Sequence, residues 1–104
     1  AFINVANRLS VDCDCDAHPH EPEMADIGVF ASLDPVALDQ ACVDACLAAE
    51  PMPGSQLARH LAEPGFHDHH DHFTNSTPES EWRSCLEHAA KIGLGSREYE
   101  LIRL

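Results

Sequence analysis

The sequence predicts an α/β domain in which a small mixed sheet of about three strands is packed by two main helices and joined by long, ligand-rich loops. Three observations carry that expectation. Short apolar, partly β-branched runs at 2–5 and 27–31 suit strands. Two segments, 35–49 and 77–92, carry helix-start signals and apolar or small residues at helical spacing. The closing "REYELIRL" alternates Tyr99 and Leu101 with Glu98 and Glu100, the period of a strand at a sheet edge.

Taken in order, the run from Phe2 to Val5 is the first strand, and after Asn7 the chain becomes an acidic loop to about Asp26. A second strand follows over 27–31. Asp34 is a good N-cap and Pro35 occupies the first helical position, where a missing N–H does no harm. Ala41, Cys42, Ala45, Cys46 and Ala49 make one face of this first helix small enough for close approach to a sheet. "PMPGSQ" breaks it, and a short helical turn is expected at 56–61. "EPGFHDHHDHFTNSTPES" reads as a loop. Thr77 and Pro78 then open the second main helix, with Trp82, Cys85, Leu86 and Ala89 on its apolar stripe, Glu79 and Glu81 in its first turn, and Gly93 as its C′ residue.

The totals bound the function. A chain of 104 residues, 44% hydrophobic, holds one domain with one core. Six basic against eighteen acidic residues give a net charge of −12, a field that repels nucleic acid and anionic membranes. No apolar run approaches the roughly 20 residues of a membrane span, and the N-terminus lacks the pattern of a signal peptide. Five cysteines, an odd number, with Cys13 and Cys15 too close for an ordinary framework disulfide, favour a reducing compartment, so a cytoplasmic protein is expected. The chain opens on "FINVA" without an initiator Met and closes on an apolar-rich run; it is expected to be a single-domain piece, residues 1–104, of a longer protein.

"VDCDCDAHPHEPE" at 11–23 concentrates metal-ligand chemistry. Cys13 and Cys15 form a C-x-C pair, and His18 and His20 follow as H-x-H; thiolate and imidazole suit a borderline-soft ion such as zinc or ferrous iron. Asp12, Asp14 and Asp16 alternate with the thiols and are expected to raise their pKa unless a cation reverses the balance. A loop after the first helix can return toward the C-x-C pair, which makes His72 the candidate third ligand. "HDHHDH" at 67–72 is a second, weaker chelating segment. Cys42, Cys46 and Cys85 lie on small or apolar helix faces and are expected to pack in the core. Asp39 and Asp44 could hydrogen-bond loop backbone or line a site. There is no phosphate-binding glycine loop, no G-x-S-x-G and no H-E-x-x-H.

Three stretches together, "CDCD" after an apolar strand, "DIGVFASLDPVALDQACVD" and "WRSCLEHAAKIGLGSREYELIRL", resemble the C-terminal portion of proteins of domain-of-unknown-function family 362, often labelled iron–sulfur-centre or ferredoxin-like proteins. The resemblance spans nearly the whole chain. It places the family's C-D-C on Cys13, Asp14 and Cys15, its D-I-G on Asp26, Ile27 and Gly28, its D-P-V-A on Asp34 to Ala37, and its D-H-F on Asp71, His72 and Phe73. It implies an electron-transfer context with an upstream ferredoxin-like region as partner. The iron–sulfur cluster is expected only in that upstream region, because this chain has no C-x-x-C-x-x-C.

The leading expectation is therefore an accessory lobe of an iron–sulfur-associated redox protein. Cys13, Cys15, His18, His20 and His72 are its candidate metal ligands, for zinc or iron, and Asp26, Asp34 and Asp39 its candidate cofactor-contacting residues. Two other readings stand beside it. One is metal sequestration or delivery by the histidine-rich loop; the other is a redox enzyme whose active site is shared with the upstream region, with Cys13 or Cys15 as a redox-active thiol and Asp26 or Asp39 in acid–base work. A redox partner is expected, and an exposed terminal strand could also pair with a second copy.

Overall fold

The computed structural model describes residues 1–104. Strand β1 (Phe2–Ala6) and strand β2 (Gly28–Ser32) are followed by helices α1 (Pro35–Ala48), α2 (Gln56–Ala62), α3 (His72–Ser76) and α4 (Arg83–Lys91). The fold is α/β, as the hydrophobic periods predict, but its sheet has two antiparallel strands rather than about three in a mixed sheet.

The strand register sorts the side chains by face. Asn4 and Ala6 of β1, paired with Phe30 and Gly28 of β2, are half-buried or buried, while Ile3, Val5 and Val29 on the other face are 65%, 61% and 67% exposed. Helix α1 covers the inner face and contacts both strands, with α3 and α4 packed on α1 and α2 on α3. Val36, Ala37, Leu38, Ala41 and Cys46 of α1 meet Ala6, Met24, Leu57 and Leu86 in a small core. The outer sheet face stays uncovered. No helix is long and apolar enough to cross a membrane.

Helix α1 starts as its sequence dictates. Asp34 Oδ1 accepts the Val36 and Ala37 amides at 2.9 and 3.1 Å, and Pro35 fills the first turn. Helix α2 lies where the short helical turn was expected, capped by Ser55, whose hydroxyl accepts the Ala58 amide.

Three expectations need correction. The segment 98–101 is not a strand. The chain past Gly95 is instead fastened to α1: Ser96 donates its amide to Asp34 Oδ2 (2.8 Å), Arg97 Nε donates to Gln40 Oε1 (2.9 Å), and the Tyr99 hydroxyl donates to Asp44 Oδ2 (2.6 Å). These tethers hold the tail away from the free edge of β2, across a groove of about 690 Å³. The alternation of Tyr99 and Leu101 is real, but side-chain partners on α1 won over a strand ladder.

The second main helix begins at Arg83, not at Thr77 and Pro78. Thr77 is used to end α3, its amide donating to the Phe73 carbonyl at 2.8 Å, and Glu81 Oε1 receives the Arg83 and Ser84 amides at the true start. The other end is as predicted: Gly93 has φ +79°, and the Leu94 and Gly93 amides donate back to the Ala89 and Ala90 carbonyls. Finally, the stretch read as one long loop contains α3, started by Asp71, whose carboxylate accepts the Phe73 and Thr74 amides.

Candidate thiol and metal-contact site

The connection from β1 to β2 is closed at its neck. Arg8 donates its amide to Asp26 Oδ1 (2.8 Å), Glu23 donates its amide to the Leu9 carbonyl (2.7 Å), and Met24 bridges to Pro51. Beyond this neck the segment is exposed from Cys13 to Glu21, so its shape comes from its own hydrogen bonds. Asp16 donates its amide to the Cys13 carbonyl at 2.9 Å, a turn that sets Cys13 and Cys15 on one side.

The two thiols touch. Cys15 Sγ lies 2.7 Å from Cys13 Sγ, and the Cys15 amide also donates to Cys13 Sγ at 3.4 Å. Both residues are free and exposed. The donated thiol and amide of Cys15 hold the Cys13 pKa below the usual thiol value, outweighing the opposing charges of Asp14 and Asp16. That reverses the expected direction for Cys13. Acid-rich composition argued for a raised pKa, and the local hydrogen bonds decide otherwise.

His20 is held by Asp12 across the loop. Its amide donates to Asp12 Oδ2 (2.6 Å) and its ring Nδ1 lies 2.9 Å from the same oxygen. These contacts, the amide first and the ring second, keep the Asp12 carboxyl below the usual carboxylate range. With Nδ1 as the donor, Nε2 is left free for a ligand, the orientation that carboxylates impose on metal-binding imidazoles. His18 engages the loop through its amide, which donates to Asp16 Oδ1 at 2.8 Å.

The five candidate ligands do not assemble. No three His, Cys, Asp or Glu side chains gather in a group that could hold a metal ion. His72 is the clearest departure. It is the first residue of α3, and its Nε2 donates to the Ala49 carbonyl at 2.8 Å, docking α3 on the end of α1 instead of joining Cys13 and Cys15. A cluster held by four cysteines does not fit this chain alone: Cys46 is in the core, Cys42 is half-buried, and only Cys13 and Cys15 lie together at the surface.

The three candidate cofactor-contacting aspartates each have a partner within the fold. Asp26 receives the Arg8 amide at the loop neck, Asp34 receives three amides from α1 and the tail, and Asp39 receives Asn4 Nδ2 at 2.8 Å. Asp39 is the one that also borders open space. It lines a shallow cleft of about 230 Å³ with Asn4, Cys42, Trp82, Cys85 and Leu86. Cys85, expected in the core, is exposed at this cleft because α4 turns only Leu86 fully inward.

Two carboxylates that the sequence places only within longer ligand-rich stretches, Asp71 in 67–72 and Glu23 in 11–23, are buried. Asp71 is 2% exposed and accepts from Trp82 and Arg83 as well as from Phe73 and Thr74 of the helix it caps. Glu23 is 6% exposed, with Oε1 accepting the Leu57 amide at 3.4 Å and Oε2 without a partner. A Trp eleven residues after an Asp at a helix start carries no periodic signal. Glu23, inside an acidic run, has nothing in the sequence to separate it from its solvated neighbours.

Residues 1–44 match the model of a family described as a domain of unknown function, DUF362. The match takes in β1, the Cys13–Cys15 loop, β2 and most of α1. Comparison with curated proteins and with solved structures finds no match.

Proposed function

We propose that this chain is an accessory lobe of an iron–sulfur-associated redox protein, in which Cys13 and Cys15 give two thiolates to a metal or cluster whose remaining ligands lie outside the lobe. The observation that carries this reading is the contact of two exposed, free thiols on one turn with no third ligand gathered around them. A four-coordinate zinc or ferrous site filled by two thiolates is half made. The missing half fits an upstream ferredoxin-like region of the parent chain. The uncovered sheet face of Ile3, Val5 and Val29 supports the same reading, since contiguous exposed apolar residues mark surfaces that pack on a partner.

A tetrahedral metal at ~2.3 Å from each sulfur holds the two sulfurs ~3.8 Å apart. The thiols must therefore swing apart on binding, which their exposure permits. Zinc titration followed by gel filtration and elemental analysis tests the reading. A half site predicts one ion shared by two chains, and none retained by the Cys13→Ser/Cys15→Ser variant. Retention unchanged in that variant would sink the proposal.

Metal sequestration by the histidine-rich segment is the second reading. It draws on the His67 and His69 rings, whose centroids are 4.7 Å apart, and on His70 beside Asp68 at 3.6 Å. It predicts several weak sites that fail as the imidazoles protonate. The test is replacement of His67, His69 and His70 by Gln; deletion of the whole segment would also remove Asp71. Metal uptake unaffected by the three replacements excludes this reading.

A further inference from the structure

Cys13 and Cys15 are placed for chemistry that needs no metal. Their sulfurs are 2.7 Å apart, against about 2.05 Å in a disulfide, so a small side-chain movement closes the bond. The turn formed by the Asp16 amide and the Cys13 carbonyl supplies the backbone approach, and both sulfurs are open to a reagent. The other cysteines offer no equivalent pair: Cys46 is buried, Cys42 is half-buried, and Cys85 stands on α4.

We propose that Cys13 and Cys15 form a dithiol–disulfide couple that exchanges two electrons with disulfide substrates. The Cys13 sulfur, which accepts both the amide and the thiol of Cys15, attacks one sulfur of the substrate disulfide and expels the other half as a thiol. Cys15 then attacks the Cys13 side of the mixed disulfide, forming the Cys13–Cys15 bond and releasing the second half as a thiol. Two protein thiols are oxidised, one substrate disulfide is reduced, and the two protons pass to the departing thiolates.

The short ring and its exposure make this disulfide readily reducible, which suits a reversible couple rather than a structural staple. The couple stands on the thiol geometry alone. Its consequence for metal binding, that oxidation removes both thiolates from the half site, rests on the function proposed above.

The test equilibrates the 104-residue chain in buffers of reduced and oxidised glutathione, traps free thiols by alkylation, and maps the peptides by mass. The expected result is loss of two hydrogens and two free thiols from the peptide containing Cys13 and Cys15, in one reversible two-electron step. In Cys13→Ser or Cys15→Ser the remaining thiol should stop at a mixed disulfide with glutathione. A wild-type chain that accumulates that mixed disulfide at Cys13 or Cys15 overturns the couple. So does one that keeps both thiols free where Cys85 is already modified. Zinc retention measured on both redox forms separates the two ideas: a disulfide that forms in a chain that never binds metal supports the couple and rejects the metal role. Zinc bound through these cysteines with no disulfide at any glutathione ratio does the reverse.

Discussion

Trp82 Nε1 donates to Asp71 Oδ2 at 2.9 Å, and the same oxygen receives Arg83 Nη1 at 2.8 Å and Thr74 Oγ1 at 3.0 Å. With the Phe73 and Thr74 amides on Oδ1, one carboxylate starts α3 and fastens it to the entry of α4. Replacing Asp71 by Ala strands these donors. Arg83 is half-exposed and rehydrates, so the loss should fall near the lower end for a broken buried pair, about 2–4 kcal/mol. Urea unfolding measures it, and a loss under about 1 kcal/mol would contradict the hub role.

The same carboxylate sets an acid limit. Burial pushes the Asp71 pKa up, but donation by Trp82, by the Thr74 hydroxyl and by the Thr74 and Phe73 amides outweighs burial and leaves it below the usual value. A depressed folded pKa contributes stability that is complete above the unfolded value, about 3.9, and is lost as pH falls through the lower folded value. Stability should therefore fall as pH drops below about 4, and less steeply in Asp71→Asn, which no longer has the titrating group. Equal acid slopes for the two proteins would refute the assignment.

Gly95 sits against the first turn of α1. A Cβ built there would overlap Asp34 Oδ1 and come to 3.0 Å from the Val36 Cβ. Gly95→Ala must push the tail off the cap that Ser96 shares with α1, at a cost of about 1–3 kcal/mol. The companion change Asp34→Ala removes the cap and costs about 1–2 kcal/mol. Because both act on one contact, the double variant should lose less than the sum of the two, which a double-mutant cycle of unfolding free energies reads directly.

These contacts mark how far the sequence could be read. Both strands and α1 were legible because β-branched runs, an Asp–Pro start and small-residue spacing are local signals, and the end of α4 was legible because Gly93 is one too. The third strand was misread for a reason outside its own residues: Gln40 and Asp44, more than fifty positions away, bind Arg97 and Tyr99 and hold them off the sheet. The start of α4 was misplaced because Thr77 has the chemistry of a helix start but is consumed by the end of α3. In the site, the C-x-C pair was visible as ligand chemistry, and its contact depends on a turn the sequence does not announce. His72 was assigned by plausible loop return, yet a backbone carbonyl at Ala49 captured its ring.

Tyr99 reports on the tail, and it is the only tyrosine. Its hydroxyl donates to Asp44 Oδ2, and that hydrogen bond, with a smaller contribution from burial, raises its pKa above the usual 10. A raised folded pKa means the interaction is intact below the unfolded value and is lost as pH rises through the folded one. Absorbance titration should show phenolate forming above the ordinary tyrosine range, returning toward it in Asp44→Asn. An unshifted titration in the wild type would mean that the tail does not rest on α1 in solution.

Thiol reactivity separates the five cysteines into two classes. Burial pushes Cys46 up to about 11 and raises Cys42 as well, so both stay protonated near neutral pH, Cys46 shielded in the core and Cys42 partly so at the cleft. Cys13, Cys15 and Cys85 are exposed. Alkylation of the native protein near pH 7.5 should modify these three first, with Cys13 ahead of Cys85 because its accepted hydrogen bonds favour the thiolate. Cys46 should react only at the rate of unfolding, half-buried Cys42 at the cleft more slowly than the exposed three, and both should become as reactive as the others in denaturant. The order is decisive for the packing of α1: rapid native modification of Cys46 would mean that the helix face bearing it is not held in the core, whereas protection of Cys46 together with ready modification of Cys85 fixes α4 as docked through Leu86 with its cysteine turned outward.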